Sequence, residues 1–442
     1  MRIQLSDHFS YKKLLLFTLP SIVMMIFTSI YSVVDGYFVS NYAGKTPFAA
    51  LNFIMPFLMM LGAVGFMFGA GGSALVAKTL GEGDKKRAND LFSLFVYVTV
   101  ICGIVFAALG IVFIRPIAAW LGADGEMLDM CVIYGRIILL ALPVYMLQLE
   151  FQTFFITAEK PQLGLTVTVI SGVTNMVLDW LFLAVLPFGL VGAAAATAIS
   201  QAVGGIVPLI YFAGKNDSLL QLTRCKYDGR ALFRACTNGS SELLSNVSMS
   251  LVGMLYNVQL IKFAGEDGVA AYGVLMYVNF VFISAFIGYS TGIAPVIGYH
   301  YGAGNHTELK NLLRKSMAII TLFSVTMFAL AELLASPLAK VFAGYNADLL
   351  ALTLRGFYIF SFSFLFAGIA IFGSSFFTAL NNGIVSAIIS FLRTLVFQVA
   401  AVIIFPMIWD IDGIWLSTVA AELLAAIVTV WFIIVNRNKY HY

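Results

Sequence analysis

Charge is the property that this 442-residue chain has least of. Aspartate, glutamate, lysine and arginine together make up 11% of the residues, whereas hydrophobic residues make up 61%. An average soluble domain carries about 25% charged residues. The composition therefore argues against a soluble protein and predicts one integral unit in a lipid bilayer. The small net charge of +3 gives no indication of a nucleic-acid partner.

Metal-binding and nucleophilic side chains are also scarce. The four cysteines form no C-x-x-C or Cys/His pattern, so the sequence indicates neither a zinc site nor a disulfide scaffold. The four histidines lie in predicted loops or tails, away from any nucleophile–base arrangement. We therefore expect that the protein is not an enzyme and has no cofactor.

Two glycine-rich segments, Gly81 to Asp84 and Gly302 to Asn305, look superficially like phosphate-binding loops. Each lacks a lysine–serine pair and a preceding strand, so we expect no nucleotide partner. Glycine at these positions instead predicts tight cytoplasmic turns with positive φ.

Long apolar runs are what the chain has most of. Runs that can cross ~30 Å of hydrocarbon recur from Leu14 almost to the C-terminus, and within lipid only helices pair every backbone group of such runs. We predict twelve transmembrane helices, at residues 14–40, 47–77, 91–114, 131–156, 163–186, 189–213, 236–262, 268–298, 312–335, 353–378, 384–408 and 413–435.

The positive residues predict the orientation of these helices. Of the 25 lysine and arginine residues, 18 lie in segments on the side of the N-terminus, 4 lie on the opposite side and 3 lie within helices. Because cytoplasmic loops carry the excess of positive charge, both termini are predicted to be cytoplasmic. The first helix is too long for a removed signal peptide. We expect a multi-pass protein of the cell (plasma) membrane.

The second half of the chain repeats the first. Gly71 is matched by Gly292, 221 residues further on, and the same offset relates many other pairs. The further pairs are Gly81/Gly302, Gly83/Gly304, Pro116/Pro337, Gly135/Gly356, Phe155/Phe376, Thr157/Thr378 and Gly192/Gly413. Each half holds six predicted helices, so the two repeats enter the membrane in the same orientation.

The repeat predicts the fold and its division into domains. We expect an all-α membrane protein in which two parallel six-helix repeats surround a central cleft. The N-lobe covers residues 1–213, a polar and basic cytoplasmic linker covers 214–235, and the C-lobe covers 236–442. Paired bundles of this kind rock about a central site in many secondary transporters.

Acidic residues inside the membrane are the main functional candidates. An aspartate at the centre of a helix costs ~2.5–3.5 kcal/mol on insertion scales, so such residues are functional hypotheses by default. Five acids qualify: Asp35, Glu150, Asp179, Glu242 and Glu422.

Four residues of the N-lobe are predicted to share one level of the membrane. Asp35 lies near the outer end of helix 1, Asp179 lies in the outer half of helix 5, and Thr197 lies about eight residues into helix 6. Asn175 precedes Asp179 by four residues and so shares its face. Such an oxygen-rich chamber either holds protons, since burial beside a like charge favours a protonated carboxyl, or holds Na⁺.

Several segments together resemble the multidrug and toxic compound extrusion (MATE) family. They are helix 1 with Pro20 and "SVVDGYFVS", the segment "GAGGSALVAKTLGEGDKKRA", "NMVLDWLF" in helix 5 and "GLVGAAAATAIS" in helix 6. The resemblance covers nearly the whole chain and is greatest to the prokaryotic branch named after DNA-damage-inducible protein F. It implies that Asp35, Asn175, Asp179 and Thr197 line an N-lobe cation site and that helix 1 bends at Pro20, where a backbone hydrogen bond is missing.

The C-lobe departs from the family pattern. Glu242 matches an acid that another branch uses, but the stretch "SFLFAGIAIFGSSFF" of helix 10 supplies no accompanying aspartate. We therefore do not expect a complete C-lobe cation site. For Glu150 two roles stay open, a substrate-facing acid or a partner of Arg393, and the second is preferred.

These features predict a monomeric antiporter that exports small organic cations in exchange for H⁺ or Na⁺. The alternative is a flippase for a lipid-linked oligosaccharide, whose pyrophosphate would call for lysine and arginine around the cavity. The absence of lysine in mid-membrane disfavours that alternative. A channel or a passive membrane protein also remains compatible with the sequence.

Overall fold

A computed structural model of the chain describes residues 3–344 and 346–442. Arg2, which was counted for the orientation, lies outside the described residues. Twelve helices of the described part are long and apolar enough to cross a membrane, which confirms the predicted number. We label them α1 Tyr11–Ala43, α2 Thr46–Gly81, α3 Lys85–Leu121, α4 Gly125–Thr157, α5 Pro161–Val185, α6 Gly189–Ala213, α7 Gly229–Gly265, α8 Asp267–Gly302, α9 His306–Ala343, α10 Ala347–Ala379, α11 Gly383–Ile404 and α12 Pro406–Tyr440.

The connection between the two halves is partly helical. The structure begins α7 at Gly229, where the Asp228 side chain caps the helix by accepting from the backbone N–H groups of Arg230 and Ala231. Residues 229–235 of the predicted linker thus form the first turns of α7. A capping aspartate just before a helix satisfies backbone donors that would otherwise lack partners.

The turns after α2 and α8 follow the same design. Gly83 has φ +85° and Gly304 has φ +67°, which confirms the prediction of positive-φ glycines. The next residue in each case caps the following helix: Asp84 accepts from the N–H of Arg87, and Asn305 accepts from the N–H of Glu308. The glycine-rich segments are therefore helix–turn–helix connections with their own N-caps.

The repeated glycines bring the two halves together. A side chain at Gly81 would overlap the backbone carbonyl of Tyr299, and a side chain at Gly302 would overlap that of Lys78. Because Tyr299 lies 221 residues after Lys78, the two contacts are related by the same offset as the two halves. Helices α2 and α8 approach backbone to backbone here, as small residues permit in membrane proteins.

Three hydrophobic cores show how the lobes are arranged. One core joins both lobes and includes Phe92 of the N-lobe and Phe286 of the C-lobe. The second lies wholly in the N-lobe, around Ile138, and the third lies wholly in the C-lobe, around Trp415. The shared core includes residues near the chain ends, such as Leu14. The lobes are thus packed together at the end that carries the termini and have separate cores at the opposite end.

Candidate functional site

One buried face of α5 carries the candidate site. Gly172, Asn175 and Asp179 are spaced three and four residues apart, so they form one stripe along the helix. A side chain at Gly172 would overlap the rings of Phe27 and Tyr31, so α1 packs closely against this stripe. Asp179 is fully buried in consequence, and Asn175 is 2% exposed.

The structure brings the four predicted residues together. Asp35 lies next to Asp179 and Asn175 at the contact of α1 with α5. Within the described part of the chain, Asp35 Oδ1 and both carboxylate oxygens of Asp179 find no hydrogen-bond donor. Ionised carboxylates are acceptors only, so two of them facing each other need a proton or a cation between them.

Thr197 of α6 joins the chamber through a tyrosine that sequence reasoning missed. Tyr134 of α4 is fully buried. It lies beside Thr197 and faces both carboxylates, Asp35 and Asp179. Tyr31 of α1 lies near Asp35 as well. One signal pointed to Tyr134: it shares a buried face of α4 with Cys131 and Ile138. Nothing in the sequence showed that this face meets α1 and α5.

The backbone changes immediately beyond each aspartate. Residues Val39–Ala43 of α1 and Trp180–Val185 of α5 are π-helical, and these two segments contact each other. Short π-helical segments inside α-helices occur frequently at functional sites, because the wider turn redirects side chains and frees backbone groups. The acid pair therefore lies at the level where both helices leave regular α geometry.

Pro20 lies within the regular part of α1, far from the acid pair. This α-helical part runs without interruption from Tyr11 to Phe38. Pro20 is buried, and next to it Ser21 packs against Gly288 and Gly292 of α8. The proline therefore lies at the interface between the lobes.

Glu150 does not pair with Arg393, so that preference was wrong. Arg393 instead binds Glu422, with Nε 3.1 Å from Oε1 and 2.8 Å from Oε2. Glu150 is fully buried in the N-lobe beside Thr99, and within the described residues neither of its oxygens has a hydrogen-bond partner. Glu150 and Arg393 are in different lobes, and the linear sequence did not reveal which side chains surround each of them.

The C-lobe acids form a charge cluster with an arginine at its centre. Glu242 of α7 faces Arg393, whose guanidinium is already held by Glu422 of α12. The side chains of Arg393 and Glu422 are 17% and 6% exposed. The structure thus brings Glu242 to a fixed cation of the protein, whereas the N-lobe acids face each other.

The repeat also explains why the C-lobe lacks an acid pair. An offset of 221 residues places Tyr256 at the counterpart of Asp35 and Thr418 at the counterpart of Thr197. The Tyr256 hydroxyl lies 2.7 Å from Gln398 Oε1 and 3.0 Å from Thr418 Oγ1. Neutral hydrogen bonds therefore satisfy in the C-lobe what a carboxylate pair leaves open in the N-lobe.

The fold and this site define a duplicated twelve-helix membrane transporter, not an enzyme. The MatE family model matches residues 20–181 and 243–404, once in each half, and the chain belongs to this family. The chain is 24% identical over 438 residues to multidrug export protein MepA of Staphylococcus saprophyticus, covering 97% of this chain and 94% of the relative. It is 28% identical over 320 residues to MepA of Staphylococcus haemolyticus, covering 72% of this chain and 70% of that relative.

Solved structures share the fold. A multidrug resistance MATE family transporter of the MOP superfamily in its outward-facing conformation matches with a TM-score of 0.93 at 23% identity, covering 98% of this chain and 97% of that chain. A MOP superfamily transporter from Pyrococcus furiosus matches with a TM-score of 0.91, also at 23% identity, covering 98% of both chains. The resemblance to the branch of DNA-damage-inducible protein F stays a prediction.

Proposed function

We propose that this protein is a secondary antiporter that exports organic cations from the cytoplasm in exchange for inward movement of H⁺ or Na⁺. One observation carries the proposal: Asp35 and Asp179, on different helices, lie next to each other at a buried contact without a donor between them among the described residues. A proton or Na⁺ is the ligand that such a pair needs. Asn175 and Thr197 add amide and hydroxyl oxygens, which a hard cation favours.

Alternating access follows from the arrangement of the three cores. With both termini in the cytoplasm, as the positive-residue count favours, the shared core closes the cytoplasmic side and the separate cores leave the lobes apart on the outside. Residues 1–213 and 236–442 then move as two lobes. Ion and drug each shift the equilibrium only by their difference in affinity for the two states.

The charge of the interior supports cationic substrates. Of the buried C-lobe charges, Arg393 is neutralised by Glu422, so Glu242 and the N-lobe acids leave the interior negative. Organic cations are attracted to such a cavity, where aromatic and methionine side chains supply adaptable contacts. The relatives' description as multidrug export proteins is consistent with this substrate class.

The first test is ethidium transport in inverted vesicles, in which the cytoplasmic face points outward. An acidic lumen and a sodium-loaded lumen are imposed separately. We expect one of the two gradients to drive ethidium uptake, and we expect Asp179→Asn to reduce that uptake to background because the pair can no longer release a charge. The ion whose gradient drives uptake is the coupling ion.

Asp129→Asn is the matched control, because Asp129 lies in an exposed ion pair with Arg115 on the outer surface. It should transport at the wild-type rate. Full gradient-driven uptake by Asp179→Asn, at wild-type expression, would contradict the proposal. Absence of ethidium transport by the wild type under both gradients would favour the flippase alternative or a narrow substrate.

A further inference from the structure

A stripe of buried polar side chains leads away from the acid pair toward the cytoplasm. On α5 it consists of Asn175, Ser171 and Thr168, all of them buried and on the same face as Asp179. The eleven residues from 168 to 179 span about 16 Å of helix, roughly half of the hydrocarbon thickness. An apolar membrane helix has no packing need for such a series, because each buried polar group must find a partner.

Helices α4 and α6 cover this stripe with more polar atoms. Gln148 of α4 is 6% exposed and donates from Nε2 to Ser171 Oγ at 3.4 Å. Ser171 Oγ donates in turn to the Ser200 carbonyl of α6 at 2.6 Å. The contact is close, because a side chain at Gly204 would overlap the Gln148 amide. The three helices therefore enclose a continuous line of donors and acceptors.

Two atoms along this line point to a ligand. Within the described residues, Gln148 Oε1 has no donor and Asn175 Nδ2 has no acceptor, although both are buried. A small cavity, lined by Gln148, Gln152 and Thr168 among others, lies just below Ser171. Unsatisfied buried groups beside a polar cavity are typical of ordered water, which makes two to four hydrogen bonds.

We propose that the space between α4, α5 and α6 is a hydrated conduit through which the coupling ion leaves the acid pair for the cytoplasm. The ion would then be released through the interior of the N-lobe, from Asp179 past Ser171 and Gln148, and not through the cleft between the lobes. Its mouth lies near the cytoplasmic start of α5, where Lys160 pairs with Asp217 at 2.5 Å. This inference rests on the proposed antiport.

The conduit separates two activities that share one substrate site. Gradient-driven uptake requires ion release, whereas exchange of labelled for unlabelled drug across the membrane requires only the drug-bound states. In Gln148→Leu and Ser171→Ala we expect gradient-driven ethidium uptake to fall at least about tenfold, a barrier increase of ~1.4 kcal/mol, with drug exchange within about twofold of wild type. Drug exchange also verifies that each variant is folded and binds drug.

Ser417→Ala is the matched control, because Ser417 is a fully buried serine of the C-lobe that donates to the Gly413 carbonyl. It should retain both activities. Wild-type gradient-driven uptake in both stripe variants would overturn the conduit, and so would parallel loss of both activities in both variants, which would make the stripe structural. Absence of gradient-driven uptake in the wild type would instead overturn the proposed antiport.

Discussion

At the residue scale, the buried ion pair of the C-lobe makes a prediction about stability. Arg393→Met removes the partner of Glu422 and also the cation that Glu242 faces. Breaking a buried pair by removing one partner costs roughly 3–5 kcal/mol. We expect a clearly lower midpoint of thermal unfolding in detergent, and a smaller decrease for Glu422→Gln, since Glu242 still faces the guanidinium in that variant.

The control for this comparison is Arg355→Met. Arg355 pairs with Asp412, but its side chain is 66% exposed, and exposed pairs contribute only ~0–1 kcal/mol. Its unfolding midpoint should stay close to that of the wild type. Equal midpoints for Arg393→Met and Arg355→Met would show that the buried pair adds no stability.

Individual residues also show how far sequence reasoning reaches. The depth of Asp35 and Asp179 and the four-residue spacing of Asn175 were readable from the sequence, because helical periodicity fixes both face and level. Tyr134 was not readable, because its role depends on a contact between helices. Glu150 was assigned to the wrong partner for the same reason: its neighbours come from packing, which no spacing within one helix encodes.

At the scale of helices, the close contact of α2 with α8 depends on glycine. Gly302→Leu would force the α8 backbone away from the Lys78 carbonyl of α2. Overpacking of this kind costs typically ~1–3 kcal/mol, and the cost applies only while the lobes are packed together. We therefore expect Gly302→Leu to shift the protein toward a state that is open to the cytoplasm.

The measurement is the distance between spin labels on the cytoplasmic ends of α3 and α9, at positions 86 and 310, in a background without the native cysteines. The distribution should move to longer distances in Gly302→Leu. Gly253→Leu serves as control, because among the described residues no atom lies within 4 Å of a Cβ placed at that helical glycine. An unchanged distribution in Gly302→Leu would mean that the glycine contact does not hold the cytoplasmic side closed.

The number of helices followed from hydropathy, but some of their ends did not. The prediction ended helix 11 at residue 408, whereas the structure ends α11 at Ile404 and starts α12 at Pro406. Proline fits the first turn of a helix, where its missing N–H is not needed. A break then follows at Trp409 and Asp410, where Asp410 has φ +50°. Apolar composition continues through this corner and so hides it.

At the scale of the whole molecule, the N-terminal segment connects the lobes. The backbone N–H of Leu5 donates to Glu159 of the N-lobe at 2.7 Å, and that of Phe9 donates to Glu308 of the C-lobe at 2.9 Å. His8 Nδ1 lies 2.6 Å from Glu308. Lys315 of α9 donates to the carbonyl of Phe9 at 2.6 Å. Residues 5–9 therefore form a strap across the cytoplasmic side.

The strap predicts a change in the balance between the two states. Glu308→Ala removes the acceptor of the Phe9 N–H and the partner of His8, and hydrogen bonds to charged groups contribute ~1.5–3 kcal/mol. These bonds bridge the lobes only when the cytoplasmic side is closed. We expect the population of the cytoplasm-open state to rise about tenfold or more, since ~1.4 kcal/mol corresponds to a factor of ten. The spin-label distances at positions 86 and 310 measure this population.

Asp7→Asn separates the strap from general surface charge, because the Asp7 carboxylate makes local contacts, with Lys13 and the backbone N–H of Gln4. It should leave the distances unchanged. If the strap and the glycine contact act on the same equilibrium, Glu308→Ala and Gly302→Leu will combine additively in free energy, since they perturb separate contacts. A cytoplasm-open population in Glu308→Ala equal to that of the wild type would show that the strap follows the closure of the lobes without stabilising it.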